Sequence, residues 1–437
     1  MGEFLFAHFF CPDTIFLMTP ETAIIAASYL YNPGRPPIAG GAVAIRNGRI
    51  AAVGSLAQLR TDFVATVEEF PGCVLFPGMV NAHTHLELTH FPAWKVRKSL
   101  DYAPRTYVDW VIQVIKLRRG LSREEVEHSI AEGARISLEA GTTTLGEILT
   151  DFSILPRYQE LKLCGRVFLE AIGQAPEFCL DRSFALQQAL DTFDDGLLCP
   201  GVSPHAPHTL SEQFMREIVQ LAAGRDLPLM IHLAESPEEV DFCFDTTGRI
   251  ADTLYPFAGW EPYLPSPRHM SPVALLDSLG VLTPRTTVVH AVHVTPADIS
   301  CLRERGVAIV LCPRSNDRLA VGKAPLMLLK GSGIPLALGT DSLASNDSLS
   351  VWDELRFLYE RFPRLFSPEE LLTIATLGGA RALHLQEQAG SLERGKMANL
   401  QIIRIPPMTT DNHLPNALVE HGELVAVWLA GDPVRAL

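Results

Sequence analysis

The sequence predicts an α/β fold, a (β/α)8 barrel of the TIM type carrying a small β-sandwich built from both chain termini. Three observations predict it. Between about residues 75 and 390, eight short apolar runs alternate with amphipathic stretches. Turn-bounded strand patterns stand at both ends of the chain. Histidines and acids that suit a metal fall at the ends of several runs rather than within them.

The elements follow in order. The opening stretch from Phe4 to Met18 is apolar enough to imitate a signal peptide. It lacks a basic leading region and carries Glu3 and Asp13, so it reads as structure. Residues 38–53, IAGGAVAIRNGRIAAV, alternate apolar and polar positions around Asn47-Gly48, a hairpin signal. The pattern returns in residues 397–405 and 422–434. The expected division is therefore a terminal module, 1–75 plus 391–437, and a catalytic barrel, 76–390.

The eight barrel runs are CVLFPGMVNAHTH (73–85), TTTLGEI (142–148), RVFLEAIG (166–173), GVSPHAP (201–207), LPLMIHLAE (227–235), TTVVHAVH (286–293), VAIVLCPRSN (307–316) and IPLALGTDS (334–342). Stretches such as 122–141 between them place apolar residues at helical spacing. A doubly wound sheet would leave several of these strands unused. Two excursions, from Leu86 to about Gly120 and from Ser236 to about Pro272, are longer than a barrel needs. Long loops after barrel strands cover the active-site face, so both read as substrate-covering or subunit-contacting elements.

Composition narrows the function. The chain has 437 residues, 47% of them hydrophobic and 20% charged, which excludes disorder. A net charge of −14 without a basic cluster argues against nucleic acid or a membrane surface as partner and leaves a small molecule. No apolar run reaches the roughly 18 residues that would cross a bilayer. The eight cysteines are scattered without a C-x-x-C pair, as expected of reduced thiols in the cytoplasm.

His83 and His85 sit two apart at the end of the first run, so both imidazoles face one side of a strand. His232 ends the fifth run, His290 the sixth and Asp341 the eighth. In a closed barrel these ends converge on one mouth, and three imidazoles with a carboxylate make an open site for a divalent metal. Zinc is expected first, with iron or manganese also suited to such ligands. Glu235, three residues after His232, stands where a proton shuttle beside metal-activated water belongs. His290 is read as steadying the attacking oxygen rather than as a ligand. His85-Leu86-Glu87 satisfies an H-x-E pattern without the P-C-x-x-C that zinc nucleotide deaminases pair with it.

FPGMVNAHTHLEL, GVSPHAPHTLS, IHLAES, VVHAVHV, CPRSN, GTDSLASND and GSLERGKMANLQII, in this order, resemble the amidohydrolase superfamily, in its deaminase and chlorohydrolase branch. The resemblance covers essentially the whole chain. It implies His83, His85, His232 and Asp341 as metal ligands, Glu235 as proton shuttle, His290 as the group polarising the reacting centre, with Asp341 also orienting the nucleophile, and His205 near the substrate. Two-metal members use a carboxylated lysine on a middle strand. RVFLEAIG and GVSPHAP have none, which implies one metal. His208 stands where the branch often has tyrosine.

The reaction implied is hydrolytic replacement of an exocyclic amine on an adenine-type ring by a carbonyl, with release of ammonia. HTHLEL followed by a YVDWV helix is most similar to the 6-amino-6-deoxyfutalosine deaminases of menaquinone synthesis. That substrate carries a benzoate, and Arg314 in CPRSN is read either as its partner or as a structural arginine that holds the loop. The alternatives are S-adenosylhomocysteine, methylthioadenosine or another nucleobase as substrate, a dechlorinase or cyclic amidase, and, remotely, an inactive structural barrel. Relatives often form homodimers.

Overall fold

A computed structural model describes residues 22–194 and 196–434. The stretch from Phe4 to Met18 lies outside the described residues. Eight parallel strands make one sheet in sequence order: β1 (Met79–Thr84), β2 (Thr142–Leu149), β3 (Gly165–Ala171), β4 (Leu198–Pro204), β5 (Leu229–Leu233), β6 (Thr286–His290), β7 (Ala308–Leu311) and β8 (Leu336–Leu338). Thr84 and Asp341 form a parallel bridge that closes the sheet on itself. The seam is reinforced where Asp341 N donates to His83 O (3.0 Å) and Thr84 Oγ1 to Asp341 O (2.9 Å). The fold is thus a (β/α)8 barrel, and its closure sets His83 and Asp341 side by side.

The strands are buried on both faces, which explains their near-continuous apolar runs. Val80, Ala82, Ile148, Phe168, Met230, Val289 and Val310 fill the barrel interior, and Leu383 and Leu385 plug it. A larger apolar layer joins the outer barrel face to the helices, with Leu169, Ile231, Val288 and Ile309 facing residues such as Ile130, Phe214 and Leu355. Each such side chain contributes about 1.5–3 kcal/mol by leaving water. The stretch at 122–141 forms the helix Arg123–Glu139, started by a reciprocal capping pair between Ser122 and Glu125.

The first apolar run was read as one strand over 73–85, and the structure divides it. Thr66–Pro77 belongs to a second sheet, and β1 begins at Met79. Gly78 is the crossing point, because a Cβ there would lie 2.0 Å from Thr143 Oγ1. An apolar run that changes sheets without a polar break carries no pattern signal of the change.

The second sheet has eight strands and mixes both chain ends. Leu400–Arg404 pairs antiparallel with Cys73–Pro77, and Glu423–Leu429 pairs with Leu400–Arg404 in turn. On the other side Ala23–Leu30 runs parallel to Thr66–Pro77 and pairs with Gly41–Arg46. The hairpin around Asn47-Gly48 forms with φ of 53° and 73°, the left-handed pair that its tight turn demands. Ile25, Val43, Leu75, Leu400, Ile402 and Trp428 make its core. Among the described residues, no helix is long and apolar enough to cross a membrane, and the seven described cysteines are free thiols.

Candidate active site

The ends of β1, β5, β6 and β8 bring the predicted residues together. The ligand atoms of His83, His85 and His232 all lie within 4.8 Å of one another. Asp341 Oδ1 stands 3.6 Å from His85 Nε2 and 3.8 Å from His83 Nε2. The backbone is bent to reach this arrangement: His290 (φ 74°) and Asp341 (φ 57°) are left-handed, as are Ala234 and Ala291 beside them. Such conformations persist where the surroundings over-determine them, commonly at functional sites.

Three of the imidazoles are held by one nitrogen. His232 Nδ1 donates to His205 O (2.9 Å), His290 Nδ1 to Asn316 Oδ1 (2.9 Å), and His83 Nδ1 contacts Met230 Sδ (3.3 Å). That leaves the Nε2 atoms turned to the site, and those of His83 and His290 are buried with no hydrogen-bond partner. Burial holds every ring in the neutral form. His85 is brought down to about 3 by burial against the opposing pull of Asp341, and His83 and His232 are also lowered, by burial first and neighbouring imidazoles next. Neutral rings with free lone pairs are what a metal requires. Asp341 completes the set as an anion. Burial works upward on its carboxyl, but it lies below the usual range, helped down by the donated hydroxyls of Ser315 (2.7 Å) and Ser345 (2.8 Å). The donor set therefore fits a divalent ion, with His83 Nε2 the orphaned buried atom that such an ion would satisfy.

Glu235 is 3% exposed, one oxygen accepting from Tyr107 Oη (3.0 Å) and the other 3.7 Å from His290 Nε2. Burial pushes its carboxyl up to about 7, against the opposing pull of His232. A carboxyl poised near neutrality can both take and return a proton. Its turn is locked by Glu239, whose carboxylate accepts from the backbone N–H of Ala234 (2.8 Å) and Glu235 (3.1 Å).

A cavity of about 600 Å3 opens from these groups, lined by His85, His205, His232, Glu235, His290 and Asp341 at its inner end. This size suits a drug-sized molecule. Both long excursions supply walls: Tyr107, Trp110, Val111, Val114 and Ile115 from the helix Tyr107–Arg118, and Leu254, Ala258 and Trp260 from the second excursion. The two pack on one another through Val108, Ile112, Ile250 and Leu254. His205, held by Thr209 Oγ1 (2.9 Å), lies 4.0 Å from Glu170 Oε1, a buried acceptor without a partner. Glu170 and His205 form a second close set with His232.

Arg314 is not among the lining residues. It begins the short helix Pro313–Arg318, where its guanidinium meets Asp347 and Asn346 Oδ1 (3.3 Å) and lies 3.6 Å from Glu354. Local acids thus hold the Arg314 guanidinium beside its own loop. The useful residues of CPRSN are its neighbours Ser315 and Asn316, which orient Asp341 and His290. Their signal was present, since small polar residues directly after a strand end face the same mouth. Tyr107 lay unmarked within the noted aromatic helix. Glu87, whose H-x-E pattern had no zinc partner, forms a two-bonded pair with Arg118 (2.7 and 2.9 Å) that fixes this helix over the barrel.

A closed barrel thus carries a metal-competent His3Asp set at its mouth, with the buried carboxyl of Glu235 beside it. The chain belongs to the amidohydrolase family, whose profile matches residues 74–434, and as a class it is a hydrolytic deaminase. A short segment, residues 41–63, also matches an imidazolonepropionase-like composite domain of bacteria. The chain is 31% identical over 381 residues to the aminodeoxyfutalosine deaminase of Deinococcus radiodurans, covering 85% of this chain and 88% of that one. It is 32% identical over 389 residues to the 5-methylthioadenosine/S-adenosylhomocysteine deaminase of Syntrophobacter fumaroxidans, covering 83% and 80%. Among solved structures, an adenosine deaminase from Xanthomonas campestris with bound zinc superposes with a TM-score of 0.79 at 28% identity, covering 95% of this chain and 93% of that one.

Proposed function

We propose that the protein deaminates the adenine ring of 6-amino-6-deoxyfutalosine, using one divalent ion, zinc in the first place, held by His83, His85, His232 and Asp341. The observation that carries this reading is Glu235, a buried carboxyl near neutrality that faces both His290 and the metal-competent set at the closed end of a nucleoside-sized cavity. One ion is favoured over two. His232 Nδ1 is committed to His205 O, so both close sets draw on the same Nε2.

When bound, the ion supplies Lewis-acid activation of water. The chain does the rest. Glu235 takes a proton from the attacking water and delivers it to the ring nitrogen beside the amine-bearing carbon, and the oxygen bonds to that carbon. His290, tied by its other nitrogen to Asn316, presents a lone pair that orients the water. Glu235 then collects the second proton from the newly bonded hydroxyl and passes it to the amine, the carbon–nitrogen bond breaks, ammonia leaves, and a ring carbonyl remains. His205 and the free oxygen of Glu170 receive polar hydrogens of the nucleoside, such as ribose hydroxyls. Trp110, Phe178 and Trp260 line the same cavity and supply aromatic surface for an aryl substituent. Free thiols suit a reducing, cytoplasmic setting.

A second reading, a methylthioadenosine or S-adenosylhomocysteine deaminase, is favoured by the apolar wall of Val111, Val114, Ile115 and Leu254, which suits a thioether. Ammonia release from a panel of aminodeoxyfutalosine, S-adenosylhomocysteine, methylthioadenosine, adenosine, guanine and cytosine separates the two. The expected result is kcat/KM above about 10⁴ M⁻¹s⁻¹ on aminodeoxyfutalosine alone. No ammonia from any compound, with metal bound in stoichiometric amount, would overturn both and move the leaving group elsewhere.

A further inference from the structure

Arg118 and Arg119 are consecutive, and both line the cavity, but their situations differ. Arg118 is neutralised by its paired bonds to Glu87. Arg119 is exposed, and among the described residues it has no carboxylate within ion-pair distance. Its guanidinium lies 5.1 Å from the centre of the Phe257 ring, and Lys116 Nζ lies 5.8 Å from the same ring. Phe257 immediately precedes Ala258, Gly259 and Trp260, which line the cavity. Two cations from one excursion thus rest on an aromatic ring of the other, where the excursions meet at the cavity.

The forces that hold Arg119 there leave its donors unused. A cation at the C-terminal end of the Tyr107–Arg118 helix is favoured by the helix dipole, and the contact with the Phe257 ring engages the guanidinium's charge and occupies no hydrogen-bond acceptor. In a chain with 50 acidic and 36 basic residues, an arginine that faces a ligand cavity without an acid has its fork free for a planar anion. The inner end of the same cavity holds the acids Glu235 and Asp341, which leaves Arg119 the place for a negative charge far from the reacting ring.

We propose that Arg119, assisted by Lys116, is the specificity-determining residue that selects adenine nucleosides bearing a carboxylate on the substituent remote from the adenine. The inference rests on the deaminase reading above. It is independent of the groups that transfer protons, so it acts on binding and leaves the chemical step to others.

The test compares ammonia release from aminodeoxyfutalosine and from its methyl ester, identical in shape and lacking the charge. For the wild-type protein the acid is expected to be preferred, and raising ionic strength should narrow the preference, because Arg119 is exposed. In Arg119→Gln the ratio of kcat/KM for acid over ester should fall about 10- to 30-fold, mostly through KM. Arg119→Glu should lower it further and Arg119→Lys should restore part of it. A ratio unchanged within about twofold in Arg119→Gln, while both compounds are still deaminated, overturns the inference and leaves the deaminase reading standing. Wild-type protein that releases ammonia from neither compound overturns the deaminase reading itself and the inference with it.

Discussion

Tyr107→Phe removes one hydroxyl and nothing else from a buried contact, and its effect on Glu235 can be worked out. The hydroxyl donates to Glu235 Oε2 at 3.0 Å, and both residues are almost wholly shielded from water. A hydrogen bond to an ionised group contributes about 1.5–3 kcal/mol. It favours the carboxylate over the acid, and one pH unit corresponds to about 1.4 kcal/mol. Losing it should therefore raise the Glu235 carboxyl by about one to two units from its position near 7. Glu235 must be ionised to accept the proton of water, so activity rises with pH through its pKa. The acidic limb of the kcat/KM profile should move to higher pH by that amount. Activity at pH 6 should fall about 10- to 100-fold, with recovery towards the wild-type value above the new limb. A bound cation pulls both limbs to lower pH, so their separation carries the test. The assay is ammonia release across pH 5 to 10 for both proteins. A uniform loss with an unmoved limb would refute the assignment of that limb to Glu235.

Two other substitutions probe the supports of the site. Gly339→Ala would place a Cβ 2.8 Å from His83 Cβ and 2.9 Å from His83 O, neither of which has room to move in the closing seam. Metal content measured after purification should drop with it, and full metal occupancy would show that the seam is softer than it looks. Arg314→Ala should lower the melting temperature, because the guanidinium's bonds to Asp347 and Asn346 are lost, along with the cation beside buried Glu354, whose carboxyl burial pushes up to about 8. KM for the acidic substrate should stay within about twofold of wild type, and a tenfold rise would return Arg314 to the substrate.

Much of this protein was legible without coordinates, and the reason is geometric. Parallel strands buried on both faces must be apolar along their length, so β2 to β6 announced themselves as runs, and a barrel obliges the residues at strand ends to meet. His83, His85, His232, His290, Asp341 and Glu235 were therefore identifiable as one cluster from position alone. The hairpin at Asn47-Gly48 was equally local, since only a few residues tolerate its left-handed turn. What the sequence could not decide was partnership between distant segments. The run at 73–85 passes from one sheet to the other at Gly78 with no change of polarity. Tyr107 reaches Glu235 across 128 positions, and Arg314 and Arg119 look alike as arginines near a predicted mouth. Only the tertiary structure pairs one with Asp347 and leaves the other against Phe257 without an acid, because a charge is defined by its neighbours. Periodicity and strand-end chemistry are properties of the chain, and they determined the barrel and its metal-competent set. The walls of the cavity and the charge at its mouth arise where two long excursions pack together, and that packing exists only in the folded molecule.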